Sequence, residues 1–446
     1  IQKRIPTQKR SAAADQALSM EPISPNGKDA GPLPPPQGAL RRSEPTVSEE
    51  WEDDFSLAFR YSLSVRRLSV FAALLVLLSL VVLQRQAATS GLDKPATRIV
   101  VPSLAADVSA QAQTRGYRMG WFLQPPEPTV ASILKTMPEA AKHSDAVLIQ
   151  REVPWARILA GTPMETILVE DYDGLMAYLR GTGFHVSFLV DPLDGVDRTR
   201  ESNETRAAGR TLNDPALRAL HEQWVELLVA RYQPDFFGCA SEINSLAARG
   251  DPVLFANIRD MCNRLAPLVR SLSPATKFFV SFQVDEAWGR VTILPSAVDH
   301  FALSRTFDID VLGLSSYPSF FFNNPSEIPA DYFTKLKEAS GKPVLIAEGG
   351  WSSAPPGKTE SPATLAVQAE FYERFFSVLD AADPVLVIML LFADLNLNAW
   401  LAVAPPASEP ERALPFALMG LVTSDLKPKP ALAVWDARFK LPFAGQ

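Results

Sequence analysis

From Gly116 onward, short runs of consecutive apolar residues alternate with longer stretches whose apolar positions recur every three or four residues. The short runs are Met119–Leu123, Ala146–Gln150, His185–Val190, Phe236–Ala240, Lys277–Gln283, Val311–Ser316, Pro343–Ala347 and Val385–Phe392. They are rich in Val, Ile, Leu and Phe and lack the strict polar alternation of a half-exposed strand. That is the pattern of parallel strands covered on both faces. Between the runs, Pro215 to Tyr232 reads as an amphipathic helix, with Asn213 or Asp214 as N-cap and Pro215 near the first helical position. Thr364 to Leu379 and Ala330 to Ala339 carry similar stripes. Eight such units predict an α/β fold, a (β/α)8 TIM barrel over residues 116–446. A doubly wound open sheet calls for a Gly-rich phosphate turn after the first strand, and none follows it.

Upstream the pattern changes. Residues 1–66 are rich in Pro, Ser, Glu, Lys and Arg, with Pro34-Pro35-Pro36 and an acidic cluster at Glu49, Glu50, Glu52, Asp53 and Asp54. Such a segment buries too little apolar area to offset its chain entropy, which predicts a disordered tail. Leu68 to Leu83 is almost wholly apolar. As a helix it reaches roughly 24 Å, slightly short of a ~30 Å hydrocarbon core. Arg66, Arg67 and Arg85 can snorkel to close the gap. Residues 67–85 are therefore expected to form one transmembrane anchor. A cleaved signal peptide is the competing reading, but the polar stretch ahead is long and no small-x-small cleavage site follows. Arg41, Arg42, Arg60, Arg66 and Arg67 outweigh Arg85 and Lys94, so the positive-inside bias puts the tail in the cytoplasm. The C-terminal region is then periplasmic or extracellular, joined through an Ala, Thr, Ser and Gln-rich linker at 86–115.

Composition narrows the chemistry. A net charge of −7 over 446 residues offers no basic surface of the kind that binds nucleic acid. Two cysteines, Cys239 and Cys262, are too few for a disulfide scaffold; they form either one bridge or two buried free thiols. His143, His185, His221 and His300 are scattered without metal-ligand spacing, which argues against a zinc site. There is no Gly-x-Ser-x-Gly elbow and no P-loop, and no cofactor is implied.

Two glutamates carry the positive signal. Glu242 lies in Phe-Gly-Cys-Ala-Ser-Glu-Ile-Asn and Glu348 in Val-Leu-Ile-Ala-Glu-Gly-Gly-Trp, each at the end of an apolar run. In a (β/α)8 barrel the C-terminal strand ends form the active-site mouth. Glycoside cleavage needs a carboxylic acid to protonate the leaving oxygen and a carboxylate to attack the anomeric carbon or activate water. Trp351, Trp288 and Trp155 follow strands seven, five and two and offer flat faces for a pyranose ring. Asp191 and Asp194 after strand three, Glu152 after strand two, and Asp285 with Glu286 after strand five are further candidates for hydroxyl recognition.

With these residues, Gly313-Leu314-Ser315-Ser316-Tyr317-Pro318 and the closing Gly420-Leu421 followed by Pro428-Lys429-Pro430, residues 116–440 resemble the glycoside hydrolase clan A barrels. Within that clan the chain resembles the arabinogalactan endo-β-1,4-galactanases. The resemblance implies that Glu242 is the acid/base, that Glu348 is the nucleophile, and that Tyr317 hydrogen-bonds the nucleophile. It also implies a substrate contact at Ser241, where the clan normally has an Asn that binds the sugar 2-hydroxyl. Arg151 matches the clan's strand-two Arg, and Phe392 and Asp394 stand where a Trp is common. The expectation is a membrane-anchored retaining glycoside hydrolase acting on a β-linked polysaccharide or oligosaccharide, in exopolysaccharide or envelope glycan processing. A non-catalytic polysaccharide-binding barrel in an export or assembly system is the alternative that Ser241 favours. A transglycosylase would use the same residues.

Overall fold

The structure, a computed structural model, describes residues 114–291, 297–355, 363–403 and 410–445. The expected tail, the anchor and the linker up to residue 113 lie outside the described residues. Among the described residues no helix is long and apolar enough to cross a membrane.

Eight parallel strands follow one another around a closed barrel: β1 (Arg118–Phe122), β2 (Ala146–Arg151), β3 (His185–Val190), β4 (Phe236–Gly238), β5 (Lys277–Gln283), β6 (Val311–Ser316), β7 (Val344–Gly349) and β8 (Leu386–Met389). β1 pairs with both β2 and β8, so the sheet has no free edge. The apolar runs thus predict all eight strands. β4 and β8 are shorter than their runs, because the chain turns outward once it passes the barrel rim. β7 is longer, and Glu348 is part of the strand.

The outer layer holds α1 (Val130–Ala140), α2 (Gly174–Gly181), α3 (Pro215–Tyr232), α4 (Ile243–Arg249), α5 (Pro252–Leu272), α6 (His300–Leu303), α7 (Thr334–Ser340), α8 (Leu365–Ala382), α9 (Leu397–Val403) and α10 (Pro430–Phe439). At the start of α3 the cap is Asp214, whose carboxylate accepts from the Ala216 N–H. This satisfies one of the donors that a helix N-terminus leaves unpaired.

Alternation along the strands sorts the core into two clusters. Inside the barrel lie Ala146, Leu148, Leu189, Phe279, Val311, Leu345, Ala347, Leu386 and Ile388. The intervening residues, such as Trp121, Val147, Phe237 and Ile346, face the helices and join the larger cluster. There Trp121 packs on Trp435 of α10 with ring centroids 4.3 Å apart. Phe279 fills the barrel interior, and two glycines make room for it: a Cβ at Gly238 would stand 2.6 Å from its ring, and one at Gly313 3.0 Å.

Arg115, expected as the last residue of the linker, is bound into the bottom of the barrel. It donates to Asp145 at 2.7 Å and lies over the rings of Phe439 and Phe443. Cys239, just past β4, and Cys262 in α5 are joined in a disulfide. Of the two states the sequence left open, the bridge is the one adopted.

Candidate active site

A cleft of about 540 Å³ opens at the C-terminal ends of the strands, and Glu242 and Glu348 both line it. Two local departures from regular backbone put them there. In β7 the pairing with β6 runs Leu314 to Ile346 and then Ser315 to Glu348, so Ala347 is an extra residue. Strict alternation would send Glu348 toward the helices, the same way as Ile346. The bulge gives it the parity of Ser315 and turns it into the mouth. Glu242 has φ 47°, a left-handed conformation at the N-cap of α4. For a non-glycine residue such a conformation costs on the order of 1–3 kcal/mol, and it persists only where surrounding contacts enforce it. Its N–H donates to Ser281 Oγ at 2.9 Å, and its carboxylate accepts from Ser315 Oγ.

Glu348 is 4% exposed and sits among donors. Ser241 Oγ donates to its Oε1 at 3.0 Å and the Tyr317 hydroxyl to its Oε2 at 3.1 Å. Burial, and then the negative charges of Glu348 and Glu242, raise the Tyr317 pKa well above its ordinary value, so it remains a donor. Glu242 differs. Burial, reinforced by the Glu348 charge and opposed by Arg198 and the Ser315 hydrogen bond, lifts its pKa to about 7. The two carboxyl groups therefore have distinct environments, one set to hold a proton near neutrality and one surrounded by donors.

Arg198 joins them. Its Nε lies 3.5 Å from Glu242 Oε2 and its Nη2 3.7 Å from Glu348 Oε1. The third nitrogen donates to Asp191 Oδ2 and to the Asp194 carbonyl. Burial alone would lower its pKa, but Asp191, then Glu348 and Glu242, raise it, so the guanidinium stays charged. Asp191 is 2% exposed and is also engaged by Gln150 Nε2 at 2.8 Å and by the N–H groups of Leu193 and Ser241. It borders the cleft, yet its oxygens are occupied in holding Arg198. Asp194 shapes the same loop, accepting from Arg200, Arg206 and two backbone N–H groups.

The remaining expected residues divide. Arg151 and Glu152 line the cleft, but Arg151 turns to the Gln150 carbonyl, and the cation beside the glutamates is Arg198. Ser241 lies beneath the cleft, against Glu348. The three tryptophans correct the expectation of a stacking platform. Trp351 is fully buried, its ring 5.4 Å from Phe371 of α8. Trp155 is 1% exposed beside His221. Trp288 packs on Tyr332, donates to its carbonyl at 3.0 Å and is covered by Lys335. In each case the strand end turns outward before the indole, which then fills the helix layer. Asp285 and Glu286 serve structure as well, accepting from Tyr332 and from Arg249 and Ser245. Asp394 is paired with Lys429 at 2.6 Å, and Phe392 packs on Trp121.

In place of the tryptophans, phenylalanines line the cleft: Phe122, Phe320, Phe321 and Phe416. Phe320 and Phe321 follow Tyr317 after Pro318 and Ser319, a cluster of aromatic residues past a strand end that sequence inspection could have used. Arg198 left no such trace. It is one of four arginines between 198 and 210, and only the folding of the loop on Asp194 selects it. Among the described residues no group of three His, Cys, Asp or Glu side chains is placed to hold a metal ion.

No family model and no curated protein sequence matches the chain. Solved structures share its fold. GH5_18 from Streptomyces cattleya, solved in complex with GlcNAc, is 18% identical over 73% of this chain and 80% of that one, with a TM-score of 0.53. GH5_18 from Bifidobacterium longum subsp. longum is 15% identical, covering 74% and 81%, with a TM-score of 0.53. The β-D-glucuronidase of Dictyoglomus thermophilum is 14% identical over 75% of this chain with a TM-score of 0.47, and this chain spans 52% of its length. The chain has the (β/α)8 fold that the two GH5_18 structures share.

Proposed function

We propose that this barrel is a retaining glycoside hydrolase acting on a β-linked oligosaccharide or polysaccharide. The observation that carries the reading is the pair Glu242 and Glu348 in one cleft, in unlike environments, with a shared guanidinium between them. Glu348 would attack the anomeric carbon while Glu242 gives its proton to the departing oxygen. Glu242, now ionised, would take a proton from water as that water displaces Glu348 from the sugar. Arg198 would offset the negative charge that moves between the two carboxylates.

The location belongs to the proposal too. Residues 67–85 would anchor the chain and hold the barrel outside the cytoplasm, at the cell's own envelope glycans. The Cys239–Cys262 disulfide suits an oxidising compartment. A second reading, a barrel that binds polysaccharide without cutting it, draws on Ser241 in place of the clan's sugar-binding Asn.

The test is reducing-end release from a panel of β-glycans and an envelope polysaccharide. Release by the wild type, reduced at least 1,000-fold in both Glu348→Gln and Glu242→Gln, is the expected result. Binding without release from any glycan would move the assignment to the second reading.

A further inference from the structure

The cleft is divided by chemistry. Along the arc from β2 to β5 most of its side chains are polar, Gln150, Glu152, Asp191, Arg198, Glu242 and Gln283 among them, with Leu193 and Val196 of the β3 loop the apolar exceptions. On the loops after β6 and β8 they are Phe320, Phe321, Leu390, Leu391, Leu395 and Phe416. Tyr317 stands within this second wall, but its hydroxyl is committed to Glu348. The wall has a fixed shape. Phe416 meets Tyr317 and Phe320 edge-on, with centroids 4.9 and 5.4 Å away. The apolar surface continues past the rim: Phe320 is 44% exposed, and Leu401, Val403 and Leu414 on the β8 loop are 41%, 60% and 37% exposed. No residue of α9 on that loop is buried.

A second sugar lying along this wall could stack its C–H face on a phenylalanine. Its hydroxyls, however, project around the ring edge and need partners, and each one left unpaired against Phe and Leu costs about 1–3 kcal/mol. An apolar group carries no such cost and removes the phenylalanine faces from water. We infer that the leaving group of the substrate is apolar, an aryl or alkyl alcohol β-linked to a sugar held in the polar arc. This rests on the glycosidase reading: it keeps the two-glutamate chemistry and the β-linked sugar, and replaces the sugar on the leaving side with a hydrophobic aglycone. In the cleavage step the aglycone departs as the neutral alcohol, carrying the Glu242 proton, and water later releases the sugar from Glu348.

The experiment uses the full chain in lipid nanodiscs, with methyl and hexyl β-glycosides and β-linked disaccharides of glucose, galactose, mannose and N-acetylglucosamine. Nanodiscs bearing Glu348→Gln serve as the blank. Methanol and hexanol are similar leaving groups, so a difference in kcat/KM between their glycosides reports contacts to the chain. The expected result is a hexyl-to-methyl ratio of at least tenfold for the sugar that is cleaved, with the disaccharide below the hexyl glycoside. Phe320→Ser and Phe416→Ser should each bring that ratio toward one. Leu134→Ser, at an equally exposed apolar position on α1, should leave it unchanged. A wild-type ratio near one, or a preference for the disaccharide, overturns the inference and leaves the glycosidase reading standing. If nothing is cleaved, the glycosidase reading fails and equilibrium binding of the same probes decides. Tighter hexyl than methyl binding that the serine variants abolish supports the apolar subsite, and equal binding overturns it.

Discussion

At the scale of single residues, Glu242 and Glu348 differ through their neighbours. Glu348 is buried and Glu242 half-buried, and Glu348 accepts from Ser241 and Tyr317 while Glu242 accepts from Ser315 and bears the charge of Glu348. An acid must be protonated to act. With Glu242 raised to about 7, the rate should fall about tenfold per unit above that pH. Arg198 lowers the Glu242 pKa, so Arg198→Gln should move this alkaline limb to higher pH while also reducing the maximal rate. A pH–rate profile of the two proteins reads both effects. An unmoved limb would remove Arg198 from the electrostatics of the pair. Both glutamates could be singled out in the sequence because each follows an apolar run that reveals its strand, and Tyr317 through the resemblance of Gly313 to Pro318 to the clan's motif. Arg198 could not, since it belongs to a loop whose path depends on Asp191 and Asp194.

At the scale of elements, small irregularities do the positioning. The extra residue in β7 decides which way Glu348 points, and the left-handed backbone at Glu242 decides how the chain leaves β4 for α4. The disulfide acts on the second of these, since Cys239 lies three residues before Glu242 and ties the end of β4 to α5. Closing a loop with a sequence separation of 23 stabilises the fold by about 3 kcal/mol in the chain-entropy model. Cys239→Ser with Cys262→Ser should lower the Tm by several degrees, and a reductant should do the same to the wild type but nothing to the double variant. Identical melting of the two proteins would show that the bridge contributes no stability. Helix α3 shows how far local signals reach. Its span, its Pro at the first turn and a capping acid were all readable, whereas the choice of Asp214 over Asn213 came from which side chain meets the Ala216 N–H.

At the scale of the whole molecule, the barrel gathers residues from all eight strand ends into one mouth and leaves the apolar wall on one side. The proposed membrane topology rests on the positive charge of Arg41, Arg42, Arg60, Arg66 and Arg67 against Arg85 and Lys94. An alkaline phosphatase domain fused after Gln446 needs disulfides of its own to be active. It should therefore be active in cells, and the fusion should sediment with membranes until residues 67–85 are deleted. An inactive reporter on a membrane-bound chain would reverse the orientation.

The sequence by itself determined the order of elements, the closed parallel architecture and the two glutamates. These follow from burial and from a barrel's rule that strand ends share one face, and both leave a local imprint on apolar periodicity. The tertiary structure decided what lies beside the glutamates. Arg198 rather than Arg151 reaches them, Ser241 serves Glu348, and phenylalanines rather than tryptophans line the cleft. Those outcomes depend on where a chain turns after its strand. A turn of one residue more or less sends an indole into the mouth or into the helix layer, and composition is the same in both cases.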